Sequence, residues 1–154
     1  MIDRRTMIGI ALAAIPAAAC SEPVRATEIN VYKSPTCGCC GAWVSNLRAS
    51  GLNVVVHDMD DVTPIAAKAG VPPDLRSCHT AIVGGYFVEG HVPALDVRKM
   101  LRERPNARGI AVPGMPIGSP GMEQGDRKDT YATLIVDRSG EVRVFAHHNQ
   151  SPRS

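Results

Sequence analysis

The chain has 154 residues, which is enough for one domain with a single core. Apolar residues make up 44% of the sequence and aromatic residues only 4%, so the core has to be mainly aliphatic. The formal net charge of +2 is too small to indicate a nucleic-acid-binding surface or a polybasic face for membranes. These values predict a soluble globular domain with no nucleic-acid partner.

The N-terminal segment has the features of an export signal. Two arginines precede an apolar run over residues 7–19, which is too short to remain as a membrane anchor. The run ends in small residues before Cys20, so this site fits either ordinary cleavage or lipidation of the cysteine. The arginine pair is also typical of twin-arginine export. We expect an export signal over residues 1–19, a tether over residues 20–27, a candidate lipid anchor at Cys20 as the sole membrane contact, and a periplasmic location.

The next segments predict a βαβ unit. Residues 28–33 alternate in polarity and contain valine and tyrosine, which is typical of a strand. From Cys37 to Gly51 the apolar residues have near-helical spacing, and the single tryptophan, Trp43, is expected in the core behind the cysteines. Residues 53–57 are interpreted as a continuous apolar strand buried on both faces, as in a parallel sheet.

A short helix, a hairpin and a longer helix are predicted next. The short helix covers residues 63–69, with Thr63 as the expected N-cap. Strands over residues 81–83 and 86–89 flank a glycine pair, which indicates a hairpin turn. Residues 93–104 have the pattern of an amphipathic helix that ends before a proline.

The last third of the chain combines an irregular segment with a second hairpin. Residues 109–129 are rich in glycine and proline, and a loop of this length is uncommon unless it is functional or disordered. Strands are predicted over residues 130–136 and 142–146. The two histidines that follow, His147 and His148, are interpreted as an exposed pair near the C-terminus.

This order of elements predicts an α/β fold of the thioredoxin-like type. We expect one domain over residues 28–148, with a central mixed sheet, flanking helices and a C-terminal β-hairpin. The first helix of this domain begins where the first strand ends. Three of the cysteines lie at that junction, which makes it the candidate functional site.

These three cysteines carry the clearest chemical signal. Cys37 and Cys40 have the spacing of a thiol-disulfide enzyme, whereas Cys37 and Cys39 have the spacing of a metal site. The N-terminus of a helix favours thiolate, which is the form that binds metal. In a dithiol enzyme, a third neighbouring cysteine would invite mispaired disulfides. The three cysteines and Cys78 instead provide four sulfur ligands, which suit Cu(I). Because the side chains of adjacent residues diverge, Cys39 and Cys40 cannot easily bind the same ion. A cluster of several ions bridged by sulfur therefore fits better than a single ion.

Imidazole and thioether groups are candidates for additional ligands. His79 directly follows Cys78, and His91 follows the predicted hairpin. Met115 and Met122 lie in the glycine-rich segment, and thioethers suit copper rather than zinc. The candidate metal ligands are therefore four cysteines, two histidines and two methionines: Cys37, Cys39, Cys40, Cys78, His79, His91, Met115 and Met122.

Two other functions remain open at this point. An exported thiol-disulfide oxidoreductase would use Cys37 and Cys40, although Thr80 stands where such enzymes usually place a proline before their third strand. A structural zinc domain would need its four cysteines to form one tetrahedral site. Hydrolase or transferase activity is not expected, and catalysis of copper redox chemistry is left open.

Four motifs occur in order along the chain. They are CGCC at residues 37–40 followed by Trp43, SCHTA at residues 77–81, GYFVEGHVP at residues 85–93, and GIAVPGMPIGSPGME at residues 109–123. Together they resemble the CopG-type copper-resistance proteins, a thioredoxin-like family first described as predicted metal-binding proteins of unknown function. The resemblance extends over nearly all of the chain that follows the export signal.

The resemblance implies a periplasmic domain that holds a cysteine-bridged cluster of copper ions. The cysteines of the family would correspond to the four named above. The GMPIGSPGM loop would close over the cluster and offer one of its two methionines, with one of the two histidines nearby. The resemblance also implies cycling between Cu(I) and Cu(II) in copper resistance, with copper ions and other periplasmic copper-handling proteins as partners.

Overall fold

The computed structural model describes residues 27–150. The predicted export signal, Cys20 and all of the predicted tether except Thr27 lie outside these residues. Within residues 27–150, no helix is both long and apolar enough to cross a membrane.

The described part of the chain contains three α-helices and seven strands. The helices are α1 (Gly38–Ala49), α2 (Thr63–Ala69) and α3 (Ala94–Glu103), with a short 3-10 turn at Pro73–Leu75. The strands are β1 (Ile29–Lys33), β2 (Val54–Asp58), β3 (His79–Val83), β4 (Tyr86–Gly90), β5 (Ala107–Val112), β6 (Tyr131–Asp137) and β7 (Val142–His148).

The seven strands form one mixed sheet in the order β2-β1-β3-β4-β5-β6-β7. The β1–β2 and β4–β5 pairs are parallel, and the other neighbouring pairs are antiparallel. The first four strands and the three helices make up the thioredoxin-like unit, and the remaining strands extend its sheet. The predicted thioredoxin-like α/β fold, with a mixed sheet and a C-terminal hairpin, is confirmed.

An aliphatic core packs between the sheet and the helices, as the composition predicts. Its largest buried side chains include Trp43 and Phe87, neither of which is more than 1% exposed. Trp43 lies in α1 directly behind the cysteines, and its Nε1–H donates to the carbonyl of Val92 at 2.8 Å. This bond satisfies the buried N–H, and the predicted position of the tryptophan is confirmed.

The glycine- and proline-rich segment is not a loop throughout. Residues 107–112 form the buried strand β5 between β4 and β6, so the prediction of a loop from residue 109 onwards is wrong. The two neighbouring strands stabilise β5 more than its own sequence does. At Gly109 a side chain would collide with the carbonyl oxygen and the ring of Phe87, which explains the glycine. The irregular segment begins only after Val112.

Two smaller predictions also need correction. β2 is an edge strand in which only Val54 is buried, so the prediction that residues 53–57 are buried on both faces is wrong. The N-cap of α2 is Val62 rather than Thr63, which is already the first helical residue. Asp61 Oδ1 accepts the N–H of Thr63 at 2.9 Å, so an acidic side chain before the helix replaces the expected threonine cap.

His148 is the last residue of β7 and not part of an exposed tail, although His147 beside it is exposed. The Nε2 atom of His148 lies 2.8 Å from Asp96 Oδ2 and 3.0 Å from Thr133 Oγ1. Asp96 belongs to the first turn of α3. This contact therefore ties the end of the C-terminal strand to the thioredoxin-like unit.

We expect Gly109→Ala to lower the free energy of unfolding by about 1–3 kcal/mol, because the added Cβ would collide with Phe87 in the paired strand. Gly41→Ala is the matched control, since nothing lies within 4 Å of its added Cβ and alanine is favoured in a helix. Guanidinium denaturation followed by circular dichroism measures both variants. Equal stability of the two would contradict the steric argument.

Candidate metal centre

The junction between β1 and α1 places three cysteines at one end of the sheet. Cys37 is the N-cap of α1, and Cys39 and Cys40 lie in its first turn. Cys37 and Cys40 form a disulfide. Cys39 is free and partly exposed, with its Sγ 3.5 Å from Cys37 Sγ. The C-x-x-C pair is thus bonded, and the extra cysteine remains available for other chemistry.

Cys78 approaches these cysteines from the loop that leads into β3. Its carbonyl oxygen lies 3.6 Å from Cys40 Sγ, although the two residues are 38 positions apart in the sequence. The Sγ atoms of all four predicted cysteine ligands lie within 4.8 Å of one another. The fold therefore brings together sulfurs from two distant segments.

Two buried histidines converge on the sulfur of Cys78, His79 through Nδ1 at 3.3 Å and His91 through Nε2 at 3.4 Å. On the far side of its ring, His79 Nε2 lies 3.0 Å from the carbonyl oxygen of Gly90. Likewise, His91 Nδ1 lies 2.8 Å from the carbonyl oxygen of Pro120. Because a carbonyl oxygen only accepts hydrogen bonds, each of these far nitrogens carries the proton. The near nitrogen of each ring therefore presents a lone pair to Cys78.

Burial keeps both histidines neutral and Cys78 protonated. It lowers the pKa of His79 to about 3, with a further lowering from the nearby His91, and burial also lowers the pKa of His91. Burial raises the pKa of Cys78 to about 11, and the charge of Cys39 acts in the same direction. Neutral imidazole is the form that binds metal, whereas a thiol loses its proton when metal binds.

Sequence reasoning missed Glu89, a carboxylate buried behind the centre in β4. Burial raises its pKa to about 7. Its Oε1 accepts the N–H of Ser77 at 2.6 Å, and its Oε2 accepts the hydroxyl of Thr80 at 2.7 Å. These two residues flank Cys78 and His79, so the carboxylate fixes the segment that carries both. The signal in the sequence is a charged residue in an otherwise apolar strand.

The segment after β5 packs on the start of α1 and forms one side of a cleft. Gly121 allows this approach, because its φ is +85° and an added Cβ would lie 2.7 Å from both Cys39 O and Trp43 N. The cleft encloses about 500 Å³, and its lining residues include Cys39, Met115 and Met122. Met115 is 43% exposed. Both predicted methionines thus share a cleft with Cys39, whereas neither histidine lines it.

The structure arranges the predicted ligands into two overlapping sets beside this cleft. The sulfur set consists of Cys37, Cys39, Cys40 and Cys78, and the imidazole set consists of Cys78, His79 and His91. In each set the potential ligand atoms lie within 4.8 Å of one another. Cys78 belongs to both sets. The role of these residues and of the two methionines as metal ligands stays a prediction.

The fold and the site together define the class of protein. It is a thioredoxin-like α/β domain whose first helix begins at a cluster of thiol, disulfide and imidazole groups. Such donors prefer soft or borderline metal ions to magnesium or calcium. The extension of the sheet beyond the thioredoxin-like unit carries the segment that covers the start of this helix.

Comparison with known proteins identifies the family. Two solved structures named copper resistance protein CopG, form 2 and form 1, match the chain at 48% sequence identity. The form 2 match has a TM-score of 0.76 and covers 79% of this chain and 98% of that one. The form 1 match has a TM-score of 0.74 and covers 79% and 96%. The chain belongs to the CopG copper-resistance family.

Two further comparisons give less information about the family of this chain. The family model described as "Protein of unknown function, DUF411" matches residues 75–122, the part that contains Cys78, both histidines and both methionines. No curated protein matches the chain.

We expect Glu89→Ala to loosen the segment around Cys78, because the Ser77 N–H and the Thr80 hydroxyl lose their acceptor. Each buried donor left unpaired costs about 1–3 kcal/mol of folding free energy. In the reduced protein, the rate of Cys78 alkylation relative to that of Cys39 should rise, as measured by mass spectrometry. Glu89→Gln is the control, since an amide can accept from Ser77 and donate to Thr80. An unchanged relative rate in the alanine variant would refute the positioning role.

Proposed function

We propose that this protein binds copper in the periplasm as part of copper resistance, in a cysteine-bridged centre that holds more than one ion. The observation that carries the proposal is the sulfur set, in which four Sγ atoms from two distant segments lie within 4.8 Å of one another. The similarity to solved structures named copper resistance protein supports copper as the metal.

The donor groups fit copper better than they fit a hard cation. Thiolate and imidazole prefer soft or borderline ions, and Cu(I) accepts low coordination numbers with thiolates. The buried carboxylate of Glu89 is engaged by Ser77 and Thr80, so it is not free to serve as an oxygen ligand. We therefore favour copper over magnesium and calcium at this centre, and we treat zinc as the competitor to be tested.

Several copper ions suit the sulfur set better than one. Cys39 and Cys40 follow one another in α1, so their side chains leave the helix in different directions. Their environments differ accordingly, since Cys40 is fully buried and Cys39 is partly exposed. Sulfurs that face different directions reach a shared centre when each bridges two ions. Cys78, which belongs to both ligand sets, would link the sulfurs to the histidines.

The same donors favour the monovalent state of copper. Thiolates stabilise Cu(I), and imidazole rings already fixed by backbone carbonyls need little reorganisation to bind it. We include cycling between Cu(I) and Cu(II) in the proposal. It is supported by the disulfide, because a cysteine pair able to exchange electrons belongs to the sulfur set itself.

The proposed location is the periplasm. It rests on the predicted export signal over residues 1–19, and Cys20 would add a lipid anchor if that cysteine is modified. An exported copper protein would exchange ions with other periplasmic copper-handling proteins, which are the proposed macromolecular partners.

A thiol-disulfide oxidoreductase is the second candidate function. The disulfide between Cys37 and Cys40 at the start of α1 favours it, because a helix N-terminus stabilises thiolate and promotes disulfide exchange. Such an enzyme would not need Cys39 or Cys78. Copper titration and disulfide reduction on the same preparation therefore separate the two functions.

The reduced protein is expected to take up more than one Cu(I) per chain under anaerobic conditions, in competition with a colorimetric chelator. Cys39→Ser should lower this stoichiometry, because it removes one bridging sulfur and leaves Cys37 and Cys40 in place. If no copper is retained and the disulfide reduces readily, the thiol-disulfide function is the correct one. Tighter binding of one zinc ion, assayed in parallel, would instead support a structural zinc domain.

Met122→Leu is expected to weaken Cu(I) retention by about tenfold, because leucine keeps the volume and apolar character of methionine but offers no sulfur. Chelator competition on the loaded protein measures the change. Met100→Leu is the matched control, since Met100 lies fully buried in α3 and faces the core. Equal losses of Cu(I) retention in the two variants would show that packing alone is affected. Met115→Leu tests the other methionine of the cleft in the same way.

A further inference from the structure

The disulfide distinguishes the two ligand sets. Cys37 and Cys40, whose sulfurs are joined, belong to the sulfur set alone. The imidazole set of Cys78, His79 and His91 contains neither of them. Closing the disulfide therefore removes two donors from one set and none from the other.

The imidazole set has the spacing expected of a single-ion site. A nitrogen donor about 2.0 Å and a sulfur donor about 2.3 Å from one ion lie roughly 3.5–3.7 Å apart when the angle between them at the ion is near 110–120°. The separations from Cys78 Sγ are 3.3 Å to His79 Nδ1 and 3.4 Å to His91 Nε2. A slight outward movement of these side chains would seat one ion among the three.

The hydrogen bonds that hold the two rings and the Cys78 segment do not involve the disulfide, although the Cys78 carbonyl oxygen lies 3.6 Å from Cys40 Sγ. Both rings are held by backbone carbonyls, one at the end of β4 and the other in the segment after β5. The carboxylate of Glu89 fixes the segment that carries Cys78. None of these hydrogen bonds includes Cys37 or Cys40, so we expect the lone pairs to stay aimed at Cys78 when the disulfide opens.

We propose that the disulfide form of the protein holds a single Cu(I) on Cys78, His79 and His91, and that reduction of the disulfide enlarges this site into the cysteine-bridged centre. The inference rests on the proposed function and adds redox control of copper capacity to it. Cys39 belongs to the sulfur set alone, so it is not needed in the disulfide form.

The enlarging step is an exchange with an external dithiol. A thiolate of this reductant attacks the sulfur of Cys37, which is partly exposed, and the buried Cys40 leaves as thiolate. The second thiol of the reductant then displaces Cys37, and the reductant becomes a disulfide. Two electrons and two protons pass to the protein, which gains two free thiols as bridging ligands.

Cu(I) titration against a colorimetric chelator tests the proposal on two preparations. One is the oxidised wild-type protein, and the other is the Cys37→Ser/Cys40→Ser double variant, which lacks the same two sulfurs whatever the redox state. Both are expected to retain one Cu(I) per chain, while the reduced wild-type protein retains more. X-ray absorption at the copper edge should show nitrogen as well as sulfur neighbours in the two single-ion forms.

Further substitutions in the double variant identify the ligands. Adding Cys78→Ser or His91→Ala should lower the Cu(I) affinity by about tenfold or more, whereas adding Cys39→Ser, the matched control, should leave it unchanged. Near-ultraviolet circular dichroism verifies that each variant is folded. Retention that survives Cys78→Ser overturns the inference.

Comparison of the oxidised and reduced forms also distinguishes a failure of this inference from a failure of the proposed function. If the oxidised protein binds no Cu(I) while the reduced protein binds several ions, the inference is overturned and the proposed function stands. If neither form binds Cu(I), the proposed function itself is overturned.

Discussion

The buried carboxylate of Glu89 is the contact on which the arrangement of the centre depends. Burying such a group costs free energy unless donors satisfy it, and here the donors are the Ser77 N–H and the Thr80 hydroxyl. Those donors bracket a thiol and an imidazole, so satisfying one polar group also places two candidate ligands. The two residues that follow Glu89 extend the arrangement, because the carbonyl of Gly90 holds one ring and His91 supplies the other.

The charge balance around Cys78 supports the choice of a monovalent ion in the proposed function. Burial leaves both histidines uncharged and keeps the Cys78 thiol protonated, and the ring of Trp43 packs 4.3 Å from that of His79 on the apolar side. Replacing the thiol proton by a monovalent cation leaves the buried charge unchanged. A divalent ion would add a positive charge to an environment that solvates charge poorly.

The cysteine junction could be predicted from the sequence because cysteine spacing and helical periodicity are properties of one short segment. β5 could not be predicted in this way, because it is stabilised by pairing with its two neighbouring strands. Its Gly109 is also typical of a loop, although here the glycine is needed because a side chain would collide with Phe87. Glu89 was missed because a carboxylate in a strand is usually solvated, and only the packed sheet shows that it faces inward. The position of His148 depends on Asp96, which is 52 residues away in the sequence.

Because His148 is bonded to Asp96 and Thr133, the last strand cannot fray without losing partly buried polar contacts. β6 lies between β5 and β7, so the methionine-bearing segment is a closed loop that joins two neighbouring strands. The entropic cost of closing such a loop grows only slowly with its length. Insertions at the exposed residues 123–128 should therefore be tolerated by the sheet, whereas residues 120–122 are held in place, because the Pro120 carbonyl fixes His91 and Gly121 packs on the start of α1.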